Sequence, residues 1–446
     1  MGPDKIPPYI YKGCGNFLLK PLKYIFNLCL SSSTVPTAWK VTKVVPTPKK
    51  INTTEVSEHR PIAMPSVPAK IFESIIHSRI FSQVKHLIAN NQHGFYTSRG
   101  THTSLADFAH MIVEQLDQSI QVDTIYTDFQ KAFDKVSHKI LIDKIKRMGA
   151  TEGFVRLLTS YLDHRKQYVT YNYAESARFE CPSGVPQGSN LGPLLFLIFI
   201  NDVVLYIRYS NILLYADDIK LFQPIACLAD SDLLQQDLNS LTVWSEQNAL
   251  PFNLGKCEKI TFTTKKKRII KFDYTLCNTT LRETDSVKDL GVIIDKTFSF
   301  NKHIQSKITE AKRNLKFICR NTKQFRNVKV TIVLYYALVR SVLEYCMIIW
   351  DPTADTTKNL LERIQSRFLK YLYFRLFGYY PTNISYDDLL EGFEFTSLYS
   401  RRKQASLLFL YDVLNGRVKD PNLLSRVALR VPVLRVRSMR QIHANL

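Results

Sequence analysis

Paired cysteines are missing from this 446-residue chain. Its eight cysteines (Cys14, Cys29, Cys181, Cys227, Cys257, Cys277, Cys319 and Cys346) form no Cys-x-x-Cys, and no His-x-x-x-His follows one. That excludes zinc knuckles and a dense disulfide framework, and it reads as small apolar side chains in a reducing compartment. Long apolar runs are missing too. The strongest, Leu194 to Ile200, is far shorter than the roughly 20 residues that span a bilayer. The start, MGPDKIPPYIYKG, carries charge and proline where a secretion signal needs an apolar core. No repeat of fixed period is visible. A soluble intracellular protein with no membrane partner is expected.

Acidic residues are scarce: 39 Asp+Glu stand against 60 Lys+Arg, a formal net charge of +21. Such an excess predicts a polyanionic partner, and 23 Tyr with 26 Phe supply stacking surfaces beside it. Nucleic acid fits best, although heparin- and membrane-surface-binding proteins share this balance. At 45% hydrophobic residues the chain can bury a large core, which excludes a disordered tail or a collagen-like repeat.

Periodicity predicts helices over 15–30, 66–89, 101–118, 137–148 and 152–164, the fourth ended by Gly149. Strands joined by an exposed loop are expected in VTKVVPTPKKINTTEVSEHRPIAMPS, a strand in VDTIYTDF at 122–129, and a hairpin in the alternating QYVTYNYAESARFE. A loop at 182–189 leads into the apolar helix LGPLLFLIFIND. A hairpin follows in NILLYADDIKLFQ, then an amphipathic helix over 231–248 and short strands near ITFTT, IIKFDY and DLGVIID. Beyond about Phe300 the pattern is almost wholly helical. From Lys256 to Val330 there are 19 Lys/Arg against 7 Asp/Glu. A boundary is therefore placed near residue 296, between a mixed α/β body and a basic helical unit.

The segment Tyr215-Ala216-Asp217-Asp218 carries the most chemistry. Apolar β runs flank it, so the acids sit at a hairpin tip, where adjacent carboxylates converge only if the backbone turns. Converging carboxylates repel unless a cation or proton lies between them. An all-oxygen cluster suits Mg²⁺ or Mn²⁺ rather than zinc. A plain solvated turn is the alternative. Asp128 ends a second hydrophobic strand; if the strands are neighbours, Asp128 and Asp217 share a site for two ions that clamp a phosphoryl transfer. Asp134 reads as the N-cap of the following helix. In SGVPQGSNLGP, Gly184, Gly188 and Gly192 permit close backbone approach, and Ser189 is placed to cap the apolar helix.

Taken together, TDFQKAFDKVSH, SGVPQGSNLGP and YADD, in this order and spacing, resemble motifs A, B and C of reverse transcriptases. The chain is most similar to the polymerases of non-LTR (LINE-type), jockey-like retrotransposons. Supporting segments are GPDKIP, Trp39 leading to VVPTPKK, HRPIAM, NNQHGF, FNLGKCEKITF, KDLGVIID and YYALVRSVLEYCMIIWDP. The resemblance implies an α+β right-hand polymerase fold. Residues 1–29 would extend the fingers, 30–295 form fingers and an antiparallel palm, and 296–446 a helical thumb and C-terminal region. It implies RNA-templated DNA synthesis with Mg²⁺ (or Mn²⁺), an RNA template, a DNA primer and deoxynucleoside triphosphates, and a nuclear location. Asp128, Asp217 and Asp218 would be the catalytic, metal-binding acids. Phe133 resembles the gate against a ribose 2′-hydroxyl; Gln187 and Gly188 match the loop touching template and nucleotide. Lys49 and Arg60 would grip the triphosphate, with Lys50 a competitor for Lys49. Lys256 matches a proton donor to pyrophosphate, or else a solvated loop lysine. Among the helical cations, Lys312, Lys316, Arg320 and Lys323 recur as one stripe and are assigned to the nucleic-acid backbone. The run Lys265 to Arg268 is either a solvated turn or a nuclear-entry signal.

The pattern departs from the family at His59, where a tyrosine is usual. Relatives of this type carry an endonuclease ahead of the polymerase, and the chain starts within the polymerase pattern. A fragment or truncated copy of an element is the expectation.

Overall fold

The computed structural model describes residues 1–50, 53–264 and 269–427. Its centre is a five-stranded sheet in the order Arg282–Glu283, Glu258–Phe262, Gln121–Thr127, Asp218–Ile225, Asn211–Tyr215. All neighbours are antiparallel except the short edge strand Arg282–Glu283. Alternation sorts its two faces. Ile125, Ile219 and Leu221 enter one core together with the helices Gly192–Ile200 and Leu228–Gln247. Val122, Phe222 and Ile260 enter another, against Thr101–Asp117 and Asn301–Asn321. Asp128 and Asp218 belong to the second face by the same two-residue period.

The helix Gly192–Ile200 is apolar on every side, and all its residues but Pro193 are buried, the state such a sequence requires. Its N-cap position is Leu191 and not Ser189, although the Ser189 Oγ accepts from the Gly192 N–H at 2.9 Å. A second sheet joins His59–Met64 antiparallel to Val41–Pro48, which pairs parallel with Lys166–Tyr171 and its short hairpin strands. The second core runs without a break from Leu105 through the sheet to Leu398, so packing is continuous across residue 296.

Most elements fall where the patterns put them, and the α+β class holds. Two further details differ. The stretch 269–274 (IIKFDY) carries no strand; the chain there runs outside the sheet and donates side chains such as Tyr274 to the core. The N-cap of His138–Arg147 is Ser137, whose hydroxyl accepts from the Ile140 N–H, and not Asp134, which lies a turn earlier. Gly149 ends that helix region with φ +85°. Lys265 to Arg268 lie outside the described residues, as do 428–446. Among the described residues no helix is long and apolar enough to cross a membrane.

Candidate active site

The hairpin Asn211–Tyr215/Asp218–Ile225 closes with Tyr215 opposite Asp218, leaving Ala216 and Asp217 as its two-residue loop. Next to it, Gln121–Thr127 pairs Thr127 with Ile219. One further step of that register brings Asp128 beside Asp218. The expected meeting of the two acidic strands therefore occurs. Burial raises the Asp217 carboxyl above its ordinary range, and the Asp128 charge adds to this. Asp218 keeps an open face to solvent. Even so, desolvation, then the charges of Asp217 and Asp128, lift it to about 7. Burial is the larger cause in both, and repulsion among the carboxylates adds to it.

Asp128 is held by one neighbour that the sequence did not single out, Asn253, and by one that it did, Lys256. Its Oδ2 accepts from Asn253 Nδ2 at 3.1 Å and from Lys256 Nζ at 2.9 Å, while its carbonyl accepts from the Asn253 N–H at 2.7 Å. Asn253 and Lys256 flank one 3₁₀ turn, and their spacing of three was the available signal. Lys256 thus reaches the site, though as an ion-pair partner of Asp128 with two-thirds of its side chain exposed. A cleft of about 160 Å³ opens here, bounded by Asp128, Tyr215, Asp218, Lys256 and the hairpin residues Val287–Leu290. At its floor Lys220 Nζ meets Asp289 Oδ2 at 2.5 Å, and the Tyr126 hydroxyl donates to the same oxygen at 3.2 Å.

The loop Ser183–Ser189 lies along residues 133–138. The Val185 N–H donates to the Phe133 carbonyl and the Gly184 N–H to that of Val136, both at 2.8 Å. A Cβ on Gly184 would stand 2.7 Å from the Asp134 carbonyl oxygen, and one on Gly188 (φ +113°) 2.7 Å from that of Ala63. Gln187 binds twice: its carbonyl accepts from the Ala63 N–H at 2.7 Å, and its Nε2 donates to Asp134 Oδ1 at 3.0 Å. Asp134 is accordingly a strut for this loop. Its carboxyl is raised by burial. Phe133 is half-buried, stacked on Phe196 at 4.4 Å with Phe95 edge-on at 6.0 Å.

Arg60 lies exposed on His59–Met64, near enough for its charge to act on Asp217. Lys49 is exposed at the end of the partner strand, and its charge acts on Asp134. Lys50, its competitor, is paired with Glu58. The cations assigned to the nucleic-acid backbone sit elsewhere. Lys312, Lys316 and Arg320 line a groove of about 660 Å³ along Asn301–Asn321, while Lys323 lies beyond the helix end.

Among the described residues, the three ligating side chains gathered most tightly are His93, Asp107 and Asp420, all buried, with ligand atoms within 4.8 Å of one another. Arg426 already pairs with Asp107 at 3.0 Å, and the Arg99 charge acts on Asp420. That cluster is neutralised from within. In the open one the direct ion pair is the exposed Lys256 on Asp128, and the charges of Arg60 and Lys220 act from farther off.

Comparison with known proteins agrees with this geometry. The family described as reverse transcriptase (RNA-dependent DNA polymerase) matches residues 47–294, more than half of the chain and the whole of the cleft. The chain belongs to the reverse transcriptase family. It is similar to the RNA-directed DNA polymerase from mobile element jockey of Drosophila funebris, 29% identical over 71% of this chain and 36% of the relative. The probable RNA-directed DNA polymerase from transposon BS of Drosophila melanogaster is 26% identical over 78% of this chain and 40% of the relative. The jockey-like kinship seen in the motifs therefore holds, and the reverse transcriptase chain spans well under half the length of these curated relatives. Among solved structures, telomerase from Candida albicans with a fragment of telomeric RNA is 11% identical, covering 78% of this chain and 66% of that one at a TM-score of 0.43. Apo telomerase from Candida tropicalis is 10% identical, covering 80% and 63% at a TM-score of 0.46.

Proposed function

We propose that this chain is an RNA-directed DNA polymerase that extends a DNA primer on an RNA template by two-metal nucleotidyl transfer, as in a non-LTR retrotransposon. The observation that carries this is the placement of Asp128 and Asp218 on one cleft with Asp217 in the adjoining turn, where burial and then mutual repulsion raise the Asp217 and Asp218 carboxyls. The donor set is all carboxylate oxygen, which fits Mg²⁺ or Mn²⁺. Asp128 and Asp217 would hold the ions, with Asp218 a weaker or orienting ligand. Bound there, divalent ions would supply Lewis-acid stabilisation of the phosphoryl oxygens.

The chain's own residues do the rest. Arg60 and Lys49 would neutralise the triphosphate, and Gln187 with Gly188 would present backbone to template and nucleotide. Phe133, wedged between Phe196 and Phe95, would crowd a 2′-hydroxyl and favour deoxynucleotides. Lys256 can leave Asp128 to protonate pyrophosphate. Residues 1–295 would serve as fingers and palm, and 296–446 as a helical thumb and C-terminal region. The stripe Lys312, Lys316, Arg320 and Lys323 would track the nucleic-acid backbone. A nuclear site of action follows from the kinship.

Primer extension on poly(rA)–oligo(dT) with Mg²⁺ tests this reading. Incorporation of dTTP by the wild-type chain, lost in Asp217→Ala, is expected. A folded wild-type protein that binds the hybrid and adds no nucleotide overturns it.

A further inference from the structure

The segment NNQHGF has no role in the reading above, yet it touches the acidic turn directly. Residues 91–94 lie alongside the strand Asn211–Tyr215: Leu214 donates its N–H to the Asn91 carbonyl at 2.9 Å, and His93 donates to the Leu214 carbonyl at 2.8 Å. Asn91 Nδ2 adds a bond to the Ile212 carbonyl at 2.9 Å. The loop is thus an extra edge on the palm sheet, and it ends against the turn.

That turn is strained. A two-residue hairpin loop that follows the sheet twist needs a positive φ at its first position, normally glycine. Here the position is Ala216, at φ +57°. A left-handed alanine is strained and persists only where its surroundings hold it. Gln92, 2% exposed, does the holding. Its Oε1 accepts from the Ala216 N–H at 2.9 Å and from the Gly94 N–H at 2.8 Å, and its Nε2 faces the Ala216 carbonyl at 3.5 Å. Gly94 closes the socket: a Cβ there would lie 2.3 Å from the Ala216 nitrogen. No other residue type permits this approach.

We propose that Gln92 is a positioning residue for the catalytic turn, locking Ala216 in its left-handed conformation so that Asp217 is presented to the metal site. The inference rests on the polymerase reading for its kinetic consequence, although its structural half stands apart. Replacing Gln92 by methionine keeps the volume and leaves two buried N–H groups without an acceptor. The free turn then samples other conformations, and Asp217 is in place only part of the time. Metal affinity falls with that fraction.

The wild-type protein is tested first, by hydrogen exchange resolved to single amides. Ala216 should exchange at least about 100-fold slower than an open loop amide, and exchange at the open-loop rate overturns the proposal. In Gln92→Met, protection of Ala216 should fall at least tenfold. Half-saturating Mg²⁺ for primer extension should rise about tenfold and kcat fall by a similar factor, while KM for the hybrid stays within twofold. Gly94→Ala, which pushes on the same nitrogen, should give the same signature. Leu398→Ala, a core truncation remote from the turn, serves as control: it should lower Tm without moving the Mg²⁺ dependence. If Gln92→Met behaves like Leu398→Ala, Gln92 is merely structural and the inference fails. If the exchange results hold and the wild-type chain extends no primer, the socket stands and the polymerase reading falls instead.

Discussion

Two groups of acids, one in the cleft and one sealed beneath the C-terminal segment, show what separates a site from a scaffold. Asp128 and Asp218 line an open cleft, with Asp217 in the adjoining turn and the exposed Lys256 paired to Asp128. Asp107 and Asp420 are almost wholly buried, and with His93 they form a tighter set of potential ligands. Tightness is nevertheless a poor guide. Arg426 pairs with Asp107, Asn422 Nδ2 approaches its other oxygen at 3.4 Å, and Asp420 Oδ1 accepts from the Asn422 and Leu423 N–H groups as a helix cap. A divalent ion would have to displace arginine from a sealed pocket. In the cleft it would relieve a repulsion instead. Access from an open cleft, not the ligand count, marks the site.

The largest effect expected from this contrast is on catalysis. Asp128→Ala and Asp217→Ala should each reduce primer extension by about 10³-fold or more, since metal stabilisation of the transition state is worth several kcal/mol. Both should retain the wild-type circular dichroism, and raising Mg²⁺ should not restore either. Equal loss of activity from Asp107→Ala, in protein that remains folded, would break the distinction drawn between the clusters.

Next comes the sealed cluster. Asp107→Ala leaves Arg426 and Arg99 facing a site with half its negative charge, and removing one member of a buried pair typically costs about 3–5 kcal/mol. Chemical denaturation should show a loss of that order. Half-saturating Mg²⁺ should stay within twofold of wild type. A shift in Mg²⁺ dependence with no loss of stability would mean that this cluster binds the ion.

A smaller and more distributed effect belongs to the basic stretch that runs from the helix Asn301–Asn321 into the segment after it. From Lys312 to Lys329 the chain holds Lys312, Arg313, Lys316, Arg320, Lys323, Arg326 and Lys329 with no acidic residue. Changing Lys312, Lys316, Arg320 and Lys323 to Gln should flatten the plot of log affinity against log salt by up to about 3–4, at roughly 0.7–0.9 per lost phosphate contact. Addition of one nucleotide at saturating primer should be spared. An unchanged slope would put the nucleic acid on another surface.

How far the sequence reached depends on the range of each interaction. Strand and helix placement was legible because Leu194–Ile200, or the alternation in Gln121–Thr127, is a local pattern. The meeting of Asp128 with Asp217 was legible only through motif order, since nothing local to either strand says that they are neighbours. Interactions over long separations were not legible. Asn253 approaches Asp128 across 125 residues, Gln92 reaches Ala216 across 124, and Gln187 reaches Asp134 across 53. Asp134 shows the cost: its position ahead of a helix suggested a cap, whereas the fold spends its carboxylate on the loop that carries Gln187. Strand geometry in 269–274 was misread for a related reason, because alternation of apolar residues also describes an extended chain that packs on a core without pairing.

The finest test of the contrast is a pH dependence that the sealed cluster should show by itself. Thr103 Oγ1 donates to the Gly100 carbonyl at 2.9 Å, so toward His93 Nδ1, also at 2.9 Å, it must accept. Nδ1 therefore carries the proton, and the buried Nε2 has no partner. Burial, then the charges of Arg99, Lys220 and His102, depresses the ring to about 3. Asp420, 3.8 Å from Nδ1, would favour a charged ring only when ionised, and burial beside Asp107 raises its own proton affinity. The sign follows from linkage. In the unfolded chain His93 takes up a proton below about 6.5, and in the folded chain only near 3. Stability from the neutral ring is thus complete above about 6.5 and is lost as pH falls toward 3, by up to about 1.4 kcal/mol per unit. The difference in unfolding free energy between wild type and His93→Gln should shrink steadily from pH 7 to pH 4, with or without Mg²⁺. A constant difference would mean that the ring takes up its proton in the fold over the same pH range as in the unfolded chain. A Mg²⁺-dependent one would mean that the sealed cluster takes a metal after all.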